Sequence, residues 1–400
     1  MITTFYPPYH FGGDATYVRA LSKSLVNRGH EVHVVHCEDA YRTVSHNNEI
    51  LESTIDEGIT IHKLKSNFGL LSPLFTQQTG FPGFKKTDLK RILKQNFDVI
   101  HFHNISLVGG PAVLKMSNAL VTLYTLHEHW LLCPTHIFWK NNKQACDKRE
   151  CFSCSLRSGI PPQLWRYTNL ISNSLKSVDV LIAPSEYTRT KHTSVFHNND
   201  IQVLPLFSAL KVKKEEVIRG NNFQNYEDIP FIYVGRVTAS KGIISLLKVF
   251  EKLPDVNLQI IGDGDLLTKL KKEYLNNSNI KFLGKLEQNK LIEKYINSKA
   301  VILPSLAPET FGLTIIEAFS CSTPALVRVS GGSRDIIDNT GGGFVYNNDE
   351  ELMESILKLQ KDAALRDKLG DSARQGYEKF YTEDIHLDSY MKLINNISNA

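Results

Sequence analysis

PFIYVGRVTASKGIISLLKVFEKL, residues 230–253, runs from a short apolar segment through a polar glycine-bounded loop into a segment that reads as a helix. FIYV is apolar throughout rather than alternating, as expected for a strand covered on both faces. The same order recurs along the chain. β-rich runs stand at VHVVH (32–36), ITIHKL (59–64), VIHFHN (99–104), ALVTLYTLH (119–127) and VDVLIAPS (178–185). After a break they resume at NLQIIGDG (257–264), IKFLG (280–284), AVILPS (300–305), PALVRV (324–329) and GGFVY (342–346). Helical segments separate many of them, such as TYVRALSKSLVNRG (16–29), which Gly29 ends. Alternation of this kind predicts parallel sheet in an α/β fold.

A length of 400 residues favours two domains over one core. The polar, charged stretch around 207–228 reads as the linker between residues 1–206 and 229–382. A last helix, EDIHLDSYMKLINN within 383–400, is free to pack on the second domain or to cross back to the first. Only MITTF precedes the first turn, so strand one is short or the chain as given begins inside it, which also puts the start site in question. In doubly wound sheets ligands bind beyond the carboxyl ends of the strands, here in a cleft between two such domains. The loops after strands are therefore where chemistry is expected.

Composition excludes several classes. An apolar fraction of 42% with 22% charge is that of a globular protein. A net charge of +4, with bases and acids interspersed, argues against nucleic acid as a partner. No apolar run approaches the roughly 18 residues of a membrane span, and no secretory signal segment is legible. The expected location is cytoplasmic.

Arg236 and Lys241 stand five residues apart on the loop after FIYVG, next to a helix start. Two cations beside a helix N-terminus suit a diphosphate, Arg gripping two oxygens and Lys adding a point charge. Two solvated surface cations are the bland alternative. PETFGLTIIEAF (308–319) follows the strand AVILPS and carries Glu309 and Glu317. With a helix beginning near Gly312, its free N–H groups would point toward the same cations, and Gly312 would admit a ligand closely. Carboxylates beside a phosphate cannot serve the phosphate, so they must accept hydrogen bonds from hydroxyl groups at its two ends. That describes a nucleotide sugar.

GRVTASKG, IIGDGDL, the two acids of PETFGLTIIEAF and SGGSRDII together resemble the second domain of the retaining, nucleotide-sugar-dependent glycosyltransferases of GT-B architecture. TTFYPPYHFGGDATYVRALSKSLVNRGHEV resembles their opening strand, glycine loop and first helix. The resemblance spans essentially the whole chain. It implies that Arg236 and Lys241 bind the donor diphosphate, Glu317 the ribose, and Glu309 the transferred sugar. Phe311, Gly312 and Leu313 would offer backbone amides. Gly262, Asp263 and Gly264, with Lys285 and Leu286, would lie near the base. Gly12 and Gly13 would turn backbone N–H groups to the diphosphate, though a glycine pair is more often simply a turn. His127, at the end of a strand, would be the first-domain histidine beside the donor sugar, with a satisfied structural histidine as the alternative. Glu128 and His129 are adjacent, less favoured candidates. No catalytic metal is implied. Two departures from the family pattern are Ser322, where a glycine is expected, and Arg328, at a strand position expected to be small or apolar.

Cys133, Cys146, Cys151 and Cys154 form C-x12-C-x4-C-x2-C within an insertion at 130–160. Four thiolates at such spacing suit a structural zinc site, and four free or redox-active thiols are the alternative. SNFGLLSPLFTQQTGFPGF (66–84) reads as an irregular aromatic loop on the acceptor side. FKKTDLKRILKQNF (84–97) sets Lys85, Lys86, Lys90, Arg91 and Lys94 around an apolar stripe. That suits peripheral contact with an anionic membrane surface, or equally a solvated face. The function expected is transfer of a sugar to a glycan, lipid-linked or small-molecule acceptor in cell-surface polysaccharide synthesis. A nucleotide-sugar epimerase or hydrolase and a two-lobed sugar-binding protein are the rivals. A phosphorylase would need a cofactor lysine motif, and a dehydrogenase a GxGxxG that HFGGDATY does not supply.

Overall fold

A computed structural model describes residues 1–45, 56–212, 217 and 226–399. By contact it divides into two units, Met1–Ile137 with Lys148–Ala209 and Glu383–Ala400, and Phe138–Asp147 with Leu210–Thr382. Both are α/β folds of parallel strands, and the architecture is GT-B.

In the first unit β1 (Val32–Cys37) pairs with β2 (Ile59–Leu64). A four-stranded run follows in the order β3 (Val99–Phe102), β4 (Val121–Thr125), β5 (Val180–Ala183) and β6 (Ile201–Val203). Ile2 joins the two groups, bridging in parallel to Val35 and to Phe102. A cavity of about 460 Å³ opens beside Ile2, lined in part by Val32, His33, Val99 and Ile100. The apolar strands meet Leu89, Ile92, Trp130 and Trp165 in one core.

The first helix is Gly13–Asn27, beginning three residues earlier than the sequence pattern suggested. Its buried face is Tyr17, Val18, Leu21 and Leu25, and Gly29 beyond its end has a φ of 87°. The terminal helix, Glu383–Ser398, groups with this first unit. It buries His386, Leu387 and Tyr390, and Arg28 holds Asp384 and Asp388 on its outer side.

Three expectations are corrected here. Residues 66–84 are not irregular throughout, since Leu71–Thr79 is a helix closed by Gly80 at φ 75°. Lys85 does not face outward. It is 2% exposed, and its ammonium donates to the Ser72 carbonyl and hydroxyl and to Thr76 Oγ1, at 2.9–3.2 Å. The linker also begins apolar, because Phe207 packs edge-on against Tyr17 in the first unit. Residues 213–216 and 218–225 of that linker lie outside the described residues.

The second unit holds six parallel strands: β7 (Phe231–Val234), β8 (Leu258–Ile261), β9 (Ile280–Gly284), β10 (Val301–Leu303), β11 (Ala325–Arg328) and β12 (Gly343–Tyr346). Their order is β9-β8-β7-β10-β11-β12. The chain winds outward from β7 in one direction, then restarts beside it at β10. That reversal is the switch point where such sheets bind ligands. Phe231, Leu246, Phe250, Ile260, Ile302 and Leu326 form the core beneath it. Each such side chain contributes about 1.5–3 kcal/mol by its burial.

Candidate active site

Two loops leave the carboxyl ends of β7 and β10 at the switch point. The first, Gly235–Gly242, carries Arg236 and Lys241. It is stitched down at several points. Tyr233 Oη donates to the Arg236 carbonyl at 2.5 Å, and Val237 N–H donates to the Asp263 carbonyl at 2.8 Å. Leu306 and Ala307 N–H groups, from the second loop, both donate to the Ser240 carbonyl at 2.9 Å. Gly242 fixes the exit into the helix Ile243–Glu251. Its φ is 72°, and a Cβ there would stand 1.9 Å from the Pro304 carbonyl oxygen, so no other residue fits. The Arg236 side chain is left exposed on this fixed loop.

Lys241 Nζ meets Glu309 Oε1 at 2.6 Å, and Ser305 Oγ donates to the same oxygen at 2.5 Å. The two residues, 68 apart in sequence, are therefore one unit of charge. Glu309 is itself held by the SGGS loop. Its carbonyl accepts from Gly332 N–H at 2.7 Å, and a Cβ on Gly331, at φ 82°, would lie 2.2 Å from that carbonyl. Burial pushes the Glu309 carboxyl up, but the Lys241 charge and hydrogen bond, then Ser305, bring it below its ordinary value. It stays anionic.

Glu317 behaves oppositely. It sits in the helix Leu313–Ser320, where burial raises its pKa to about 7 and only the Tyr295 phenol, donating at 2.9 Å, pulls it back. The two acids of PETFGLTIIEAF thus differ in how readily they ionise, Glu309 below and Glu317 above the ordinary carboxylate value.

The helix begins at Leu313 with Gly312 as its cap, close to the expected start. A Cβ at Gly312 would meet Ile315 Cδ1, the end of a flexible side chain, at 2.8 Å. Phe311 is buried edge-on against Tyr381. Gly262, Asp263 and Gly264 form the turn after β8, where Asp263 Oδ1 accepts from Gly264 N–H at 2.7 Å. Lys285 is exposed and Leu286 half-buried directly after β9. Ser322 takes a left-handed φ of 57°, the conformation a glycine would adopt more readily. Arg328 is bonded to Asp349 at 2.6 Å and to the Asn347 carbonyl at 3.1 Å, over the Tyr346 ring, which explains its place on β11. Sequence reading missed Tyr233, Ser305, Tyr295 and Gly331. Ser305 carried a signal, standing directly after a strand.

In the first unit Gly12 and Gly13 make no left-handed turn. Gly12 is an extended cap, at φ −170°, and Gly13 is the first residue of the helix. β4 ends at Thr125, so His127 lies two residues beyond the strand rather than at its end. Its Nε2 is 2.9 Å from His103 Nδ1. His101 binds Tyr390 Oη at 3.0 Å and Thr125 Oγ1 at 2.7 Å, and Tyr17 Oη binds His386 Nε2 at 2.8 Å. Burial holds His127 down at about 4, with Asp14 as the opposing influence, and drives His101 and His103 well below the ordinary histidine value. These partners of His127 were not read from the sequence. Glu128 pairs with His136 at 2.8 Å, and His129 is buried.

None of the four cysteines expected as a zinc set is in a disulfide; Cys133 and Cys154 are buried, Cys151 half-buried and Cys146 exposed. Cys133 Sγ lies 3.1 Å from Thr135 Oγ1. Among the described residues no group of three Cys, His, Asp or Glu side chains is placed to hold a metal ion.

Residues 214–376 match the model of the family "Glycosyl transferases group 1", and residues 11–207 that of "Glycosyltransferase Family 4". An uncharacterized glycosyltransferase of Methanocaldococcus jannaschii is 24% identical, over 96% of this chain and 95% of its own. Sucrose-phosphate synthase of Thermosynechococcus elongatus has a similar structure, with a TM-score of 0.75 at 18% identity, covering 100% of this chain and 99% of that one. HepE of Anabaena, solved in complex with UDP-glucose, gives a TM-score of 0.64 at 15% identity, covering 98% of both chains.

Proposed function

The chain belongs to the glycosyl transferases group 1 family, and from that premise we propose that it moves a sugar, with retention, from a nucleoside-diphosphate sugar to a hydroxyl group of a glycan or lipid-linked acceptor. Cell-surface polysaccharide synthesis, supplied from the cytoplasm where nucleotide sugars are made, is the setting this reading implies. One observation carries it. At the switch point, an exposed Arg236 and the Lys241–Glu309–Ser305 cluster stand on loops fixed to each other, a charge arrangement that suits a diphosphate with hydroxyl groups beside it.

Arg236 and Lys241 take the charge that develops as the bond between the anomeric carbon and the phosphate oxygen breaks. The electron pair stays on that oxygen. The acceptor oxygen bonds to the anomeric carbon from the same face, and its proton passes to the departing phosphate. Two cations supply the neutralisation a divalent metal would otherwise give, so no catalytic metal is needed. Glu309 accepts from hydroxyls of the transferred sugar. Glu317 accepts from the ribose hydroxyls, with both oxygens when it is ionised. His127 also holds the sugar.

The helix Leu71–Thr79 and its flanks expose Phe68, Leu70, Leu71, Leu74, Phe75 and Phe84, with Phe68 stacked on Phe84 at 4.2 Å. Exposed apolar groups beside Lys86, Lys90 and Arg91 suit an anionic bilayer carrying a lipid-linked acceptor. Among the described residues no helix is long and apolar enough to cross a membrane.

A panel of nucleotide sugars tests the central reading, scored by melting temperature and by sugar transfer. One or more should raise the melting temperature and be consumed with an acceptor present. If none binds, the reading fails; release of free sugar without an acceptor would favour the hydrolase or epimerase alternative.

A further inference from the structure

Glu317 is gripped by one neighbour in a way that leaves part of its carboxyl for a ligand. Tyr295, in the helix Gln288–Ile296 that follows β9, is fully buried, and its phenol donates to Glu317 Oε2 at 2.9 Å. Among the described residues no other hydrogen bond reaches that carboxyl. An ionised carboxylate offers about four acceptor positions on its two oxygens. The phenol fills one of them, and Glu317 is only half-buried, so Oε1 and the second position on Oε2 remain. The two residues are also tied through their backbones. The Tyr295 carbonyl accepts from Thr323 Oγ1 at 2.6 Å and from Ser298 Oγ at 2.9 Å. Thr323 closes the turn after the helix Leu313–Ser320 that carries Glu317, its N–H donating to the Ala318 carbonyl at 2.9 Å. Within that helix Ser320 Oγ donates to the Glu317 carbonyl at 2.6 Å. Burial and the nearby Glu317 both raise the Tyr295 pKa, so the phenol keeps its hydrogen and remains a donor.

We propose that Tyr295 is a positioning residue for the donor nucleotide: it fixes the plane of the Glu317 carboxylate through Oε2, so that the remaining acceptor positions meet the two ribose hydroxyls. The inference rests on the reading above that Glu317 binds the ribose, and deepens it by naming what orients that carboxylate. Without the phenol Glu317 stays on its helix but its carboxyl turns freely, which weakens the ribose contact and spares the diphosphate contacts of Arg236 and Lys241. The influence that pulls the Glu317 pKa back is lost as well, so the acid ionises only at higher pH.

Titration of the full chain with UDP, GDP and ADP, each beside its 2′,3′-dideoxy counterpart, isolates the ribose contact. In the unsubstituted protein the ribonucleotide that binds should do so about tenfold more tightly than its dideoxy counterpart, the gap expected of hydrogen bonds to a charged acceptor. In Tyr295→Phe the ribonucleotide should weaken about fivefold and the dideoxy nucleotide by less than about twofold. The pH midpoint of ribonucleotide affinity should move upward in the same variant. An equal loss for both nucleotides with the midpoint unmoved marks a purely structural tyrosine and overturns the proposal. An unchanged ribose preference in Tyr295→Phe overturns it too. Glu317→Ala separates the two readings. If that variant keeps the ribose preference, Glu317 does not bind the ribose and both readings fall. Loss of the preference there, beside an unchanged preference in Tyr295→Phe, removes only the role of Tyr295. No binding of any of the three, or no preference for ribose in the unsubstituted protein, overturns both whether or not the variants fold.

Discussion

The loop pair at the switch point of the second unit and the histidine group of the first unit solve opposite electrostatic problems. Around Lys241 the charges are retained. Lys241 and Glu309 satisfy each other at 2.6 Å, and Arg236 stays exposed. Around His103 charge is excluded, because burial drives His101, His103 and His386 below the ordinary histidine value. A site that binds a diphosphate needs the first kind of region. The contrast teaches that a cation's worth here depends on its partner, and a histidine's on its burial.

The largest test of that contrast is Lys241→Ala. It should lower transfer at least a hundredfold, about 3 kcal/mol, as for removal of one charge-stabilising donor. Arg236→Ala should act similarly, while leaving Glu309 paired. Steady-state transfer rates check both, and near-normal rates would erase the distinction between the regions. Phe250→Ala, in the core under β7, should cost about 3–5 kcal/mol in denaturant unfolding without a selective loss of donor affinity.

A smaller effect separates the two acids by pH. Glu317 has a folded pKa near 7, above its unfolded value, so the folded state holds a proton that the unfolded state releases between about pH 4.5 and 7. Stability should therefore decline through that window as pH rises. Glu309 is lowered, so its contribution is present above the unfolded carboxylate value and is lost as pH falls below it. Glu317→Gln should flatten the decline between pH 5 and 7 in melting scans of the ligand-free protein, and Glu309→Gln should not. Donor affinity should also rise with pH through 7 in the unsubstituted protein, because ionised Glu317 accepts from the ribose with both oxygens and the protonated acid with fewer. A pH-independent affinity would remove Glu317 from that role.

The smallest test lies among the lysines read together from one helix. Lys85→Ala breaks three buried hydrogen bonds and should cost about 1.5–3 kcal/mol. Lys86→Ala, at an exposed position, should stay within about 0.5 kcal/mol. Equal values would mean that Lys85 is solvated after all.

The strand Ile201–Val203 was not legible in the chain, whereas most strands of both units, the placing of Arg236, Lys241 and Glu309 on loops after them and of Glu317 in the helix that follows, and the left-handed stop at Ser322 were. Each depends on short-range pattern: apolar runs, a glycine, a turn, a helix start. The pairing of Lys241 with Glu309 across 68 residues was not legible, nor was the meeting of His101 with Tyr390 across 289. Nor did the pattern tell that Lys85 turns inward, or that the terminal helix joins the first unit. Local sequence fixes which face of an element is apolar. Which distant side chain completes a buried hydrogen bond, and so sets a charge, is decided only when the elements pack.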